Sequence, residues 1–449
     1  MSWFRKHLFK RFMLDLAILV IASGLMVVPM LVNGIPTGND LPHHYGFALE
    51  INENLRQGSV DQTWNNTANY GFGDVGIRFY PPLSYFAMSA FYAVTGEWYF
   101  ASILTFSFWF LLGGIGVYLW SREWFDETAS LVAALIYMAL PYHANQIYNA
   151  FLYAEFAAAA VLPFCFLFAT RLIRNPNVPN TAFLSFAYAV LILTHLPTAL
   201  IASAGLIVYT LLSLSKDGRL KPVLSFAAAI LFGLLGSSFY LIRIITETAY
   251  LKHASPEFVS GDFSYGRNFL LSYFYAGSEA YFSRSLWFAD LMLILTLLAS
   301  IPAAIIYFRV RQSDSRRNII AVAVVFAASL FFATPLSAFF WSHLPLLAKI
   351  QFPFRWMSLI TLMAAIFFAA GFRPIAEMFS TRQRPLALAI FGCIAMTVAF
   401  TAFQIVRPAR FVDRQTFEST VASVREAPSC ECWWPIWAPC DYDWMPATP

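Results

Sequence analysis

Residues 36–58 read PTGNDLPHHYGFALEINENLRQG, and residues 64–85 read WNNTANYGFGDVGIRFYPPLSY. They follow an apolar run at 12–32 and precede another at 99–120. Within them stand Asp40, His43, His44, Tyr70, Asp74, Arg78 and Tyr80, although the chain as a whole is 59% hydrophobic and only 12% charged. Connections between elements usually take about four to six residues, so a polar insertion of this length has a task of its own. The contrast decides the fold class: an all-α polytopic membrane protein whose first outer loop is polar and carries interfacial helices.

Mean hydropathy of +0.61 and repeated apolar runs of roughly twenty residues place the chain in a bilayer. Backbone groups in hydrocarbon must be satisfied within their own segment, so the spans are expected as helices. The alternating pattern of a membrane β-barrel is absent from the sequence. A net charge of +4 is small and its basic residues sit in short loops, which leaves no need for a nucleic-acid role. Of five cysteines, Cys165 and Cys393 fall in apolar runs and read as core thiols. Cys430, Cys432 and Cys440 lie in the tail, where one bridge would leave one thiol over. Arg5, Lys6, Lys10 and Arg11 precede the first run, which is too long for a signal peptide and reads as an uncleaved span.

Further spans are expected at 127–141, 150–171, 181–194, 196–214, 222–246, 286–308, 318–341, 353–372 and 385–406, about eleven (ten to thirteen) in all. Four basic loops, at Arg171/Arg174, Lys216/Arg219/Lys221, Arg309–Arg317 and Arg373–Arg384, belong in the cytoplasm by the positive-inside rule. Parity then leaves 81–96, which opens on Pro81-Pro82, as an interfacial helix of the first outer loop. The expected organisation is a membrane domain at 1–406 with outer loops 33–98 and 247–285, and a short extracytoplasmic tail at 407–449. The N-terminus is cytoplasmic in this scheme.

On the outer side, Asp40 stands in GND at the membrane–water boundary. A carboxylate there can act as general base on an acceptor hydroxyl or bind a divalent metal, with His43 and His44 on a phosphate or on that metal. The alternative is an N-cap for a helix at 42–57 that ends at Gly58. Glu155 lies at the mouth of an apolar run, where an ionisable group marks a site or snorkels to the interface. His143 and His195 fall on the same side, and His195 could instead cap the break made by Pro197. Arg243 and Arg355 have the fork that suits a phosphate, or serve as headgroup anchors. Tyr70, Arg78 and Tyr80 complete the candidate substrate contacts, and no dedicated metal set or other cofactor is expected.

The arrangement resembles the multi-span GT-C glycosyltransferases, and more narrowly the bacterial membrane proteins labelled 6-pyruvoyl-tetrahydropterin synthase-related. The matching text is GNDLPHH (38–44), NYGFGDVGIRFYPPLSYF (69–86), LPYHANQIYNAFLYAEF (140–156), LTHLP (193–197), QFPFRW (351–356) and ECWWPIW (431–437). Nothing in these residues suggests pterin chemistry. The resemblance implies transfer of a sugar from a polyprenyl-phosphate donor to a lipid, glycan or protein acceptor at the outer face of a bacterial inner membrane. It implies Asp40 as the catalytic acidic residue, with Glu155 and His195 lining the cavity. Two rivals remain: a lipid or polysaccharide transporter, and a non-catalytic subunit of a surface-polymer assembly.

Overall fold

The computed structural model describes residues 2–38, 40–66, 68–215, 219–255, 264–272, 283–310, 315–406, 410–424 and 429–438. Among these, eight helices are long and apolar enough to cross a membrane, or nine if one bent pair counts as a span. The expected spans at 127–141 and 181–194 are helical as well, over Glu127–Ala139 and Val178–Thr194, but they run to only 13 and 17 residues. The two most enclosed spans are Tyr153–Arg174 and Pro353–Met378, each with 78% of its apolar window buried, against 22% for Arg384–Val406. The first two therefore form the centre of the bundle, and Arg384–Val406 turns most of its apolar surface outward. Gly371 lets Met357–Met378 cross Ser283–Val310 closely, since a Cβ there would sit 2.8 Å from that of Ala303.

The expected span at 222–246 is broken rather than continuous. Leu220–Gly236 and Ser238–Tyr250 meet at 73°. Ser237 returns its hydroxyl to the Gly233 carbonyl at 2.9 Å, and the second half then leaves the bundle axis to pack on Gly76–Phe79. Arg243 and Glu247 explain the turn, because both find partners in the first polar loop rather than continuing through hydrocarbon. The run at 318–341 also ends early, at Ala333, ahead of Pro335.

The polar insertion folds as its punctuation suggests. Leu41–Arg56 opens on Pro42 and stops before Gly58 at φ +82°, while Leu83–Thr95 follows Pro81-Pro82 and stops at Gly96 at φ +73°. What was expected as a separate tail is built into this loop. Ile35–Thr37 pairs antiparallel with Arg410–Val412, and Arg414–Val424 lies on Leu41–Arg56 with Phe417 against Tyr45. Residues 429–437 then roof the loop: Trp433 packs on Phe47, Phe79 and Tyr80 and stacks on His253. Cys430 and Cys432 are bridged, and Cys440 lies outside the described residues, as does part of the loop 247–285. At the opposite end of Tyr153–Arg174 and Met357–Met378, Arg171 and Arg174 hold Glu123 and Arg373 holds Asp126.

Candidate active site

Asp40 is carried into place by Gly38. A Cβ on Gly38 would lie 2.6 Å from the Phe151 Cβ and 2.7 Å from the Ala150 carbonyl carbon, so only glycine permits this approach to the 150–151 turn. Asp40 occupies the N-cap position of Leu41–Arg56, yet its side chain makes no capping hydrogen bond. The carboxylate is thus left for other work. Burial raises its pKa above the ordinary carboxylate value, with His43 and then Arg355 drawing it back.

His43 and His44 are adjacent in sequence and face apart, as about 100° of helical rotation per residue requires. His43 is exposed, whereas His44 is 3% exposed. The Tyr153 N–H donates to His44 Nε2 at 3.3 Å, which puts the ring hydrogen on Nδ1, and Nδ1 donates to the Tyr85 hydroxyl at 2.6 Å. Burial, and then His43, push its pKa down to about 3, so the ring is neutral. The expectation that His44 contacts substrate is therefore corrected: both nitrogens are engaged, and the residue ties the polar loop to the 150–153 turn.

Arg355 sits in the first turn of Pro353–Met378, the last but one span, and is the hub of the site. Its Nε donates to Glu155 Oε2 at 3.2 Å and its Nη1 to the Ile350 carbonyl at 2.5 Å, while the guanidinium lies 4.8 Å from the Phe352 ring centroid. Nη2 has no hydrogen-bond partner among the described residues. Glu155 is 2% exposed, and its other oxygen accepts from Tyr142 at 2.9 Å and Gln146 at 2.6 Å. Asp40, Tyr80 and His195 all lie within electrostatic reach of Arg355. His195 occupies the break between Val178–Thr194 and Leu196–Ser213 and bonds Thr198 at 2.8 Å through Nδ1. The expectations for Asp40, Tyr80, Glu155, His195 and Arg355 thus converge on one place.

The other candidates do not join them. Arg78 makes a two-point ion pair with Glu247, at 2.6 Å for both contacts, and Arg243 pairs with Asp61 at 2.6 Å. Neither is presented beside Arg355 for a shared phosphate. Tyr70 is 43% exposed in a left-handed turn at φ +59°. His143 is 2% exposed inside a cage of Phe110, Tyr137, Tyr142 and Phe156, beside an apolar cavity of about 10 Å³ that is too small for a substrate. Sequence reasoning missed Gln146, Tyr85 and Trp433, each an ordinary polar or aromatic residue until its partner is known. Among the described residues no group of three or more His, Cys, Asp or Glu could hold a metal ion. With both nitrogens of His44 engaged, Asp40 and His43 alone do not make a cation site.

Comparison with known proteins agrees with this architecture. ArnT from Cupriavidus metallidurans, solved bound to undecaprenyl phosphate, aligns with a TM-score of 0.52 and 16% identity over 92% of this chain and 76% of its own. The arabinofuranosyltransferase AftD from mycobacteria aligns with a TM-score of 0.53 and 14% identity over 88% of this chain and 27% of its own. These likenesses establish the GT-C fold. An uncharacterized protein of Lactococcus lactis subsp. cremoris is 25% identical over 223 residues, which is 49% of this chain and 36% of that relative. The chain thus aligns with about a third of that relative's length. Residues 77–406, well over half of the chain, match the 6-pyruvoyl-tetrahydropterin synthase related domain of membrane proteins, and this protein belongs to that family.

Proposed function

We propose that this protein is a membrane glycosyltransferase that moves one sugar from a polyprenyl-phosphate donor to a hydroxyl-bearing acceptor at the extracytoplasmic face of a bacterial inner membrane. One observation carries the reading: a half-buried carboxylate not spent on capping, Asp40, stands within electrostatic reach of a guanidinium, Arg355, that has an unengaged nitrogen. Arg355 is held by Glu155 and Ile350 so that its remaining N–H groups can meet a phosphate. The prenyl chain then lies along apolar helices of the bundle. ArnT, with undecaprenyl phosphate bound, supplies a precedent for the lipid on this fold.

The acceptor oxygen attacks the anomeric carbon while the bond from that carbon to the phosphate oxygen breaks. The electron pair leaves with the polyprenyl phosphate, whose developing charge meets Arg355. Asp40 takes the acceptor proton. Its raised pKa brings it closer to neutrality, where a general base works best. Attack opposite the leaving group inverts the anomeric centre.

The test is incubation of purified protein with a panel of radiolabelled polyprenyl-phosphate sugars and membrane extract. Label should pass to the extract, and Asp40→Asn should slow transfer at least about a hundredfold with donor binding kept. Folding should be spared, because Asn caps about as well as Asp and no capping bond is lost. No transfer by the wild type from any donor withdraws the reading. Near-normal transfer by a folded Asp40→Asn protein removes Asp40 from it.

A further inference from the structure

Beside the Asp40 site lies a second cavity, of about 60 Å³, between Leu41–Arg56, the turn at 65–74 and the tail segment 429–433. A water-sized group needs about 10–15 Å³ of such space, so several fit: one edge of a pyranose ring with its hydroxyls. Pro42, His43, Gly46 and Phe47 come from a single helix face, as their spacing of three and four dictates. Pro42 and His43 are exposed, so the cavity opens to solvent at its Asp40 end.

Its lining combines polar and aromatic side chains. Asp74 is 5% exposed, and the nearby backbone N–H groups of Gly76 and Val75 and the Ser429 hydroxyl favour its charged form. Trp434 Nε1 donates to that same Ser429 oxygen at 3.2 Å, and the Asn69 side chain accepts from the Ser429 N–H at 2.8 Å. These bonds hold the tail over the turn, beside the carboxylate. Burial pushes the Asp74 pKa up to about 6 against the pull of these neighbouring donors. Phe47 and Trp433 supply apolar faces close to the carboxylate. A carboxylate, an amide and an aromatic face around a ring-sized opening suit a sugar.

We propose that this cavity, framed by His43, Asn65, Asp74, Ser429 and Trp433, is the acceptor subsite and binds one hydroxyl-bearing edge of an acceptor sugar, with the reacting hydroxyl turned to Asp40. The proposal rests on the glycosyl-transfer reading for its biological role, but sugar binding can be measured without turnover. It also gives the tail a function, since Ser429 and Trp433 complete a site begun by the first loop.

Gly46 provides a clean test. A Cβ there meets only Val424 Cγ1, at 3.7 Å, so Gly46→Leu grows into the cavity without a clash at its base. It also replaces a glycine inside a helix, which favours folding. The probes are methyl α- and β-glycosides of glucose, galactose and mannose, observed by saturation-transfer NMR on the purified full chain, with undecaprenyl phosphate binding measured in parallel. At least one glycoside should bind the wild type. Its affinity should fall at least about tenfold in Gly46→Leu and in Asp74→Asn, with undecaprenyl phosphate binding unchanged in both. No glycoside bound by the wild type, or equal binding by Gly46→Leu, overturns the proposal. Glycoside binding without undecaprenyl phosphate binding would instead overturn the donor reading and leave the sugar site standing.

Discussion

Replacing Glu155 by Gln tests the Arg355 site at its weakest point. The carboxylate is 2% exposed and takes three donors, from Tyr142, Gln146 and Arg355. Gln has one acceptor oxygen. If that oxygen keeps Tyr142 and Gln146, the new NH₂ group faces the Arg355 Nε, donor against donor. If the amide flips, its NH₂ group can still bond the Tyr142 hydroxyl but meets the Gln146 NH₂ donor against donor, and that bond is lost instead. Either way a guanidinium that is 11% exposed loses its counter-charge. Breaking a buried pair on one side typically costs about 3–5 kcal/mol, and Glu155→Gln should lose stability of that order in thermal or denaturant unfolding in detergent. Undecaprenyl phosphate should restore a large part of it, because an anion on Arg355 replaces the missing charge. A ligand at a hundred times its Kd adds about 2.7 kcal/mol, and the gain should be greater in Glu155→Gln than in the wild type, where Glu155 competes for the same guanidinium. Equal stabilisation of the two proteins, or a loss below about 1 kcal/mol, would refute Arg355 as an anion site held by Glu155.

Arg243→Ala should change stability by less than about 1 kcal/mol and leave donor affinity intact, since its ion pair with the 60%-exposed Asp61 is a surface contact; a donor affinity lowered tenfold in a binding titration would return Arg243 to the site. Asp74, with a pKa of about 6 against the ordinary 3.8, favours the folded state while protonated. Its contribution is full below about pH 4 and lost as pH rises through 6. One pKa step is worth about 1.4 kcal/mol, so the loss approaches about 3 kcal/mol, and unfolding measured from pH 4 to 7 should show it flattened in Asp74→Asn. Cysteines placed singly at exposed Ser59 and Ser380, with native free thiols replaced, should divide by impermeant-thiol labelling: the first from outside, the second only after permeabilisation. The reverse pattern would invert the proposed orientation.

What could be read from the chain alone follows from how far each determinant reaches. Apolar runs are legible because hydrocarbon acts on each segment by itself, and Pro82 and Gly96 bracket a helix with local geometry only. The break at Ser237 was hidden because its cause, the pairing of Arg78 with Glu247 and of Asp61 with Arg243, lies about 170 residues away in sequence. The two histidines show the same limit at short range. Text placing His43 beside His44 does not tell which faces inward until Tyr85 and Tyr153 are in position.

Charge pairing also explains why only some candidates survive. A chain with few charges can settle most of them against one another: Arg78, Arg243 and Glu155 each have an ionic partner at this end of the bundle. Asp40 forms no ion pair and no side-chain hydrogen bond among the described residues, although it is held close to the bundle by Gly38. Leaving a carboxylate partly desolvated and unpaired lowers stability, and the fold makes no structural use of it as a cap. The same local rule that made Asp40 look like a cap, an acid ahead of Leu41-Pro42, therefore supports the functional reading once the missing capping bond is seen. Its partner is expected to be one the protein does not itself contain.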